Sequence, residues 1–337
     1  MPISAYIREQ PAALDRCVEA ARVFAAQWTP GQFDGIALVG SGSSFNAHHV
    51  ARPRFVAAQR GPVLVFDPQD FIDELPDMRS RSLVVVLSQS GASATSIAAA
   101  KAAVDAGLPT LAITAAERSP LALTGAQMLV LPVGDEPVGP KTKGFVGSVA
   151  MLFILAEALG APRSMAMTGE TLSAIVEQSR GAAEKLVVST ADADTIVIAG
   201  RCANHGVALE ASLKIAEMSG IPCAAFPTEE LLHGRLHGLT PRSIALLIAE
   251  GDGEIAAAHR AAAAMERRGC RLLVVDLACT EWAHAPATIA APWNTIGLVV
   301  LFQWLAVLLA EARGLKPETM RHGGLSAELA IKTDGRP

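Results

Sequence analysis

Short apolar runs in this chain end repeatedly in turns of glycine and serine, and those turns open alanine-rich helices. Residues 83–87 run into Ser88-Gln89-Ser90-Gly91-Ala92-Ser93 and then a helix over 93–106. Residues 36–39 run into Gly40-Ser41-Gly42-Ser43-Ser44 and a helix from about Ser44. Apolar runs without polar alternation are strands buried on both faces, and strands alternating with helices make βαβ units around a parallel sheet. Strands over 63–66, 110–114 and 128–133 and a helix over 144–160 complete a first half. The order then restarts with a strand over 195–199, a Gly200-Arg201-Cys202 turn and a helix over 207–219. Strands over 222–226, 244–249 and 271–276 follow, with a helix over 254–268. The predicted fold class is therefore α/β, one fold used twice with a boundary near 165–192. The chain is 51% hydrophobic but only 4% aromatic. That composition suits small-residue helices packed closely on a sheet.

The same reading narrows the function classes. Net charge is −5, and no basic patch is interleaved with aromatics, so nucleic acid is not an expected partner. Cys17, Cys202, Cys223, Cys270 and Cys279 are scattered, with neither a CxxC pair nor zinc-site spacing; reduced thiols in the cytoplasm are expected, and no metal. Residues 1–10 carry Arg8 and Glu9 and show no signal-peptide pattern. The apolar run 296–310 is interrupted by Gln303 and is shorter than the ~20 residues of a membrane span. It reads as a helix in the core or at a subunit interface. Residues 1–33 read as one or two helices, an arm packing on the body or on a partner.

Four constellations carry chemistry. The turns at Ser43-Ser44 and Ser88–Ser93 lie at strand carboxyl ends and helix N-termini, where backbone N–H groups and the helix dipole favour an anion such as a phosphate. Serine hydroxyls and the Gln89 amide add donors, although serine at such positions also simply caps helices. A nucleotide fingerprint is not met: Gly40-Ser41-Gly42-Ser43-Ser44-Phe45 ends in Phe, and no GK[ST] occurs. Glu210, Lys214 and Glu217 share one helix face, either as a solvated ion-pair stripe or as a site. His233, in Glu230-Leu231-Leu232-His233-Gly234 on a loop-like segment, can move a proton near neutrality. The polar tail after Gly323 carries Lys332-Thr333.

Together these motifs resemble the sugar isomerase (SIS) domain family as a tandem pair, over about residues 30–335. The nearest pattern is the isomerase half of glucosamine-6-phosphate synthase and its stand-alone deaminase and deglycase relatives. Ser43, Ser44, Ser88, Gln89, Ser90 and Ser93 match the family's phosphate loops, with Ser93 in place of the usual Thr. Residues 208–217 match its Ala-Leu-Glu-Gly-Ala-Leu-Lys-x-x-Glu helix, and residues 230–234 its Glu-Leu-x-His-Gly segment, with Arg235 replacing the following Pro. Pro140-Lys141-Thr142-Lys143-Gly144-Phe145 departs from Ala-Ser-Thr-Lys-Ala-Phe. Lys332 matches the family's tail lysine.

The resemblance implies two flavodoxin-like three-layer domains, 34–165 and 193–318, an N-terminal arm 1–33 and a tail 319–337 closing on the site. It implies that Glu217 shuttles a proton between C1 and C2 of an amino sugar 6-phosphate, that His233 assists ring opening, that Lys214 tunes Glu217, and that Lys332 contacts the open-chain sugar. No cofactor or metal is implied. A homodimer is, because the family's His is supplied by the neighbouring subunit. Pro2 stands where a glutaminase carries its Cys, so the glutamine-dependent reaction is not expected. The readings are a phosphosugar isomerase or deaminase acting on an amino sugar 6-phosphate, a deglycase of amino-acid-linked fructosamine 6-phosphates, whose carboxylate Lys141, Lys143 or Arg235 would meet, or a non-catalytic phosphosugar sensor.

Overall fold

The computed structural model describes residues 1–58, 60–77, 81–276 and 291–333. In chain order the elements are α1 (Ile3–Arg8), α2 (Gln10–Gln27), β1 (Gly35–Val39), α3 (Ser43–Ala57), β2 (Val63–Phe66), α4 (Pro68–Glu74), β3 (Ser82–Leu87), α5 (Ala94–Asp105), β4 (Thr110–Thr114), β5 (Gln127–Val130) and α6 (Lys143–Ala158). There follow α7 (Gly169–Thr190), β6 (Thr195–Gly200), α8 (Ala203–Ser219), β7 (Cys223–Pro227), α9 (Thr228–His233), β8 (Ser243–Ala249), α10 (Asp252–Glu266), β9 (Arg271–Asp276), α11 (Asn294–Ala312) and α12 (Leu325–Glu328). Cys279 and tail residues 334–337 lie outside the described residues. The strands fall where the apolar runs place them, except that β5 spans Gln127–Val130 and not 128–133. The stretch 165–192 holds α7, whose Leu172, Ile175, Val176 and Leu186 form a buried helical stripe. The expected loop around His233 is a correction: it is the short helix α9, which acidic Glu229 and Glu230 in its first turn favour through the helix dipole.

Both sheets are parallel throughout. The first runs β2-β1-β3-β4-β5 and the second β7-β6-β8-β9. Val39 of β1 pairs with Phe66 and Val86, and Ala199 of β6 pairs with Phe226 and Leu247. In each sheet the chain adds its second strand on one side of the first and its third on the other. The carboxyl ends of β1 and β3, and of β6 and β8, therefore flank a topological switch point, where α/β sheets bind ligands.

The chain divides into two compact units. One comprises Ala12–Glu136, Lys143–Ala166 and the tail from His322 and holds the first sheet. Its β1, β3 and β4 are buried at every residue. Val39, Val84 and Val86 pack against Ala99, Ala100 and Ala103 of α5 and Phe71 of α4. The alanines let α5 lie close on the sheet, which is why so few aromatics suffice. Alternation sends Leu38 and Val85 to the opposite face. α3 lies against β1 and β2 and packs on α6. The N-terminal segment is tied down here: Trp28 Nε1 donates to Gln127 Oε1 at 3.1 Å and Arg16 Nε to the Pro132 carbonyl at 2.9 Å.

The other unit comprises Met1–Pro11, Pro137–Thr142 and Met167–Arg321 and holds the second sheet. Val197, Ala199, Ala245 and Leu247 pack against Ala258 and Met265 of α10. α11 is long and apolar enough to cross a membrane, with mean hydropathy 2.0, but 83% of that stretch is buried in the protein. It packs along α7 and α8 and against α1, so it serves as a core helix. Gln303, which interrupts the apolar run, is satisfied: it accepts from Gln10 and donates to the Thr142 carbonyl at 3.3 Å. The Trp304 indole donates to the Val176 carbonyl at 2.9 Å.

Candidate active site

In the first unit, β1 and β3 are adjacent, so the two serine-rich turns lie at one end of the sheet. Gly40 permits the strand-to-helix turn: a Cβ there would stand 2.9 Å from Ser44 Cβ. Ser43 and Ser44 form the first turn of α3 and are half-buried. Ser88, buried at 5% exposure, donates its N–H to the Ile113 carbonyl at 3.0 Å. Gly91 has φ +64, and an added Cβ would lie 2.1 Å from Ser119 Oγ, so only glycine fits. Ser90 Oγ accepts from the Ala92 N–H at 3.3 Å. Ser93 caps α5, its Oγ accepting from the Ser96 N–H at 3.5 Å and the Ser96 hydroxyl at 3.1 Å. Capping is thus part of what these serines do, and it also fixes the loop that presents them.

Two further groups reach this loop. The tail pairs with it: Ser93 and Lys332 form an antiparallel bridge. The Ala94 N–H donates to the Ile331 carbonyl at 3.2 Å, and the Thr333 N–H to the Ala92 carbonyl at 2.9 Å. Lys332 is thereby set beside Ser93, adding a cation to hydroxyl donors and a helix N-terminus. The second group escaped the sequence reading. Glu136 is buried at 5% exposure, accepts from Gln89 Nε2 at 3.2 Å, and takes the N–H groups of Lys143 and Gly144 at 3.1 Å each. It caps α6 and holds Gln89 in place. Gly144 leaves room for that amide, since a Cβ there would lie 2.0 Å from Gln89 Oε1. Lys143 is buried at 3% exposure, not in a solvated loop. Nearby, His48 is fully buried, and burial depresses its pKa to about 3. Neutral at physiological pH, it donates Nε2–H to the Val39 carbonyl at 3.1 Å, since a carbonyl can only accept.

In the second unit, Glu210, Lys214 and Glu217 share a face of α8, but not as a solvated stripe. The side chains of Lys214 and Glu210 are 1% and 2% exposed, with Nζ 3.6 Å from Glu210 Oε1. Lys214 also contacts Glu217 closely, and Glu217, at 18%, is the member of the three that reaches the surface. A buried cation between two carboxylates is stable only because it is paired. The arrangement pins Glu217 and leaves it open to a ligand. α8 ends immediately beyond at Gly220, φ +67, in a left-handed glycine cap. His233 closes α9 with Nε2 3.3 Å from Glu229 Oε2, and its side chain is 79% exposed. Arg235 lies over the Phe226 ring, its Cζ 4.8 Å from the centroid.

The second switch point is built of different groups. A cavity of about 530 Å³ lies there, its lining including Arg201, Glu229, Glu250 and Glu254. Arg201 pairs with Glu254. Glu250 accepts from Asn204 Nδ2 at 3.3 Å and Asn294 Nδ2 at 2.8 Å. Among the described residues no group of three or more His, Cys, Asp or Glu could hold a metal ion.

The SIS domain model matches residues 34–159 and 189–304, most of the chain, and the chain belongs to the SIS domain family. It is 26% identical over 309 residues to a glutamine--fructose-6-phosphate aminotransferase [isomerizing] of Streptococcus pyogenes, covering 86% of this chain and 50% of that relative. The chain spans about half the length of the curated relatives it matches. Among solved structures, glucosamine-6-phosphate deaminase from Thermotoga maritima superposes with TM-score 0.79 at 22% identity, over 94% of this chain and 97% of that one. Tagatose-6-phosphate ketose/aldose isomerase from Escherichia coli superposes with TM-score 0.76 at 17% identity, over 99% and 95%. At those identities the structural likeness establishes the fold.

Proposed function

We propose that this SIS-domain chain is an aldose–ketose phosphosugar enzyme that acts on an amino sugar 6-phosphate and releases its amine. The observation that carries the reading is Glu217, a carboxylate fixed by buried Lys214 and the one member of its triad open to the surface. In this reading the loops at Ser43-Ser44 and Ser88–Ser93 hold the phosphate, with Lys332 beside them. Glu217 takes a proton from one of the two carbons C1 and C2 and returns it to the other through an enolamine. A carboxylate positioned for both carbons is what that transfer requires. For glucosamine 6-phosphate, the proton moves from C2 to C1, the resulting C2 imine adds water, and fructose 6-phosphate and ammonia leave. Lys214 balances the charge on Glu217 as it changes.

His233 would open the ring by moving a proton at the ring oxygen or anomeric hydroxyl. Its outward position on α9 suits delivery to the site of a second copy, so the reading includes a homodimer with shared sites, in the cytoplasm. The deglycase form places the amine on C1 of a ketose and runs the same transfer from C1 to C2. The test is an assay of ammonia and fructose 6-phosphate from glucosamine 6-phosphate by the purified chain. Release of both in equal amounts supports the deaminase form. Thermal stabilisation by sugar phosphates with no turnover of any amino sugar phosphate would instead mark a sensor.

A further inference from the structure

The buried carboxylate of Glu136 fixes which end of the Gln89 amide the serine loop presents. An ionised carboxylate only accepts hydrogen bonds. Glu136 Oε1 takes the Lys143 N–H, and Oε2 takes both the Gly144 N–H and Gln89 Nε2. Turned by half a turn, the Gln89 amide would set its oxygen against Oε2 with no proton between them. The Gln89 backbone is pinned as well, its carbonyl taking the Ala115 N–H at 3.0 Å and the Thr114 hydroxyl at 3.3 Å. The face of the amide lies on Gly144, where an added Cβ would stand 2.0 Å from Oε1 and 2.3 Å from Nε2. Nε2 is therefore committed to Glu136. Oε1, which takes no hydrogen bond among the described residues, is the end left for a ligand.

We propose that Glu136 is a positioning residue that makes Gln89 an acceptor for a hydroxyl of the sugar chain, so that this loop distinguishes a polyhydroxylated phosphate ester from a bare one. The inference rests on the proposed function for the phosphate placed at this loop, and it takes Gln89 out of the set that holds the phosphate itself. A phosphate dianion offers only acceptor oxygens, so Oε1 repels it, whereas the hydroxyls of Ser88, Ser90 and Ser93 can donate to it. In an amino sugar 6-phosphate the amine lies at the other end of the carbon chain from the phosphate. The donors within reach of a group beside the phosphate are therefore hydroxyls. Glu136 touches no ligand in this reading. It acts through Gln89, by keeping the amide nitrogen away from the ligand.

The test measures the Kd of two ligands by calorimetry, glucitol 6-phosphate and propyl phosphate. Neither has a carbonyl, so binding is read without turnover, and only the first carries hydroxyls. Gln89→Met is expected to weaken glucitol 6-phosphate by about fivefold to tenfold, as one hydrogen bond allows, and to leave propyl phosphate unchanged. Gly144→Ala should do the same, because its Cβ evicts the flexible amide while alanine suits the helix. Glu136→Gln should match them by freeing the amide to turn. Combining it with Gln89→Glu lets the amide now at 136 donate to the carboxylate now at 89. An oxygen then faces the ligand again, and the ratio of the two affinities should recover toward the wild-type value, which a merely structural role for Glu136 does not predict. Proportional loss of both ligands in Gln89→Met and Gly144→Ala would show the amide donating to the phosphate; that overturns the inference and leaves the proposed function standing. Unchanged binding of both ligands in those variants overturns it too. A wild-type protein that binds neither ligand removes the phosphate from the loop, and the proposed function falls with it. If Glu136→Gln does not fold, Gln89→Met and Gly144→Ala decide the matter, since both keep the Glu136 carboxylate on α6.

Discussion

At the switch point of the first sheet, β1 and β3 end in serines, glycines and an amide, with a lysine from the tail alongside. At the switch point of the second, β6 and β8 end in Gly200-Arg201-Cys202 and Ala249-Glu250-Gly251, and the charged residues lining the cavity there are three glutamates, Asp252 and Arg201. The backbone is the same device in both places. Gly40 and Gly200 each leave no room for a Cβ over the first turn of the following helix, and the residue two further on has positive φ in each, 56° at Gly42 and 49° at Cys202. The chemistry has diverged while the geometry has not. Carboxylates at the second switch point oppose a phosphate there, and in the proposed function the working group of that unit is Glu217, at the far end of α8. A repeated fold thus supplies two places to build a site, and the side chains decide which of them suits an anion.

The sharpest way to break the comparison is at Lys214, which has no counterpart in the first unit's serine loops. Lys214→Met removes the buried cation that lies between two carboxylates, one of them buried, and is expected to cost about 3–5 kcal/mol of stability, read by denaturant unfolding. A loss under about 1 kcal/mol would mean the triad is solvated after all. Next come the loops themselves. Ser88→Ala or Ser90→Ala should weaken phosphosugar binding by about 1.5–3 kcal/mol, the value of a hydrogen bond to a charged group, whereas Arg201→Ala at the second switch point leaves that affinity unchanged. Calorimetry with fructose 6-phosphate distinguishes the two. Equal losses at both places would erase the contrast.

His48 sharpens the comparison through pH. Its pKa falls from 6.5 to about 3 in the folded protein, so between those values the unfolded chain binds the extra proton. Stability is full above about pH 6.5 and declines as pH falls toward 3. About 2 kcal/mol should go between pH 7 and pH 5 from this group alone, and His48→Gln, which keeps a donor for the Val39 carbonyl, should flatten that slope. Smallest is Cys202→Gly. A side chain at φ 49°, ψ −121° is strained, and glycine should return about 1 kcal/mol, visible as a modest rise in melting temperature.

The strands and the two-fold repeat were legible because buried parallel strands are unbroken apolar runs and the turns between them are glycine-rich. The serine loops, the α8 triad and His233 were legible as motifs, and the closing of Lys332 on Ser93 followed from the resemblance. Three things were not. The burial of Lys214 and Glu210 runs against helix-face reasoning, which defaults such residues to solvent. Glu136 has no pattern around it, because its partners are a side chain 47 residues away and two backbone N–H groups. The helical form of residues 228–233 was obscured by its brevity.

The proposed reaction moves one proton on one carboxylate. In deuterated water with ammonium supplied to form the C2 imine, the wild-type protein should exchange solvent deuterium into C1 of fructose 6-phosphate, followed by NMR. Glu217→Gln should slow that exchange by about 10²–10⁴-fold while still binding the sugar phosphate. Exchange at the wild-type rate in the variant would remove Glu217 from the chemistry and contradict the account.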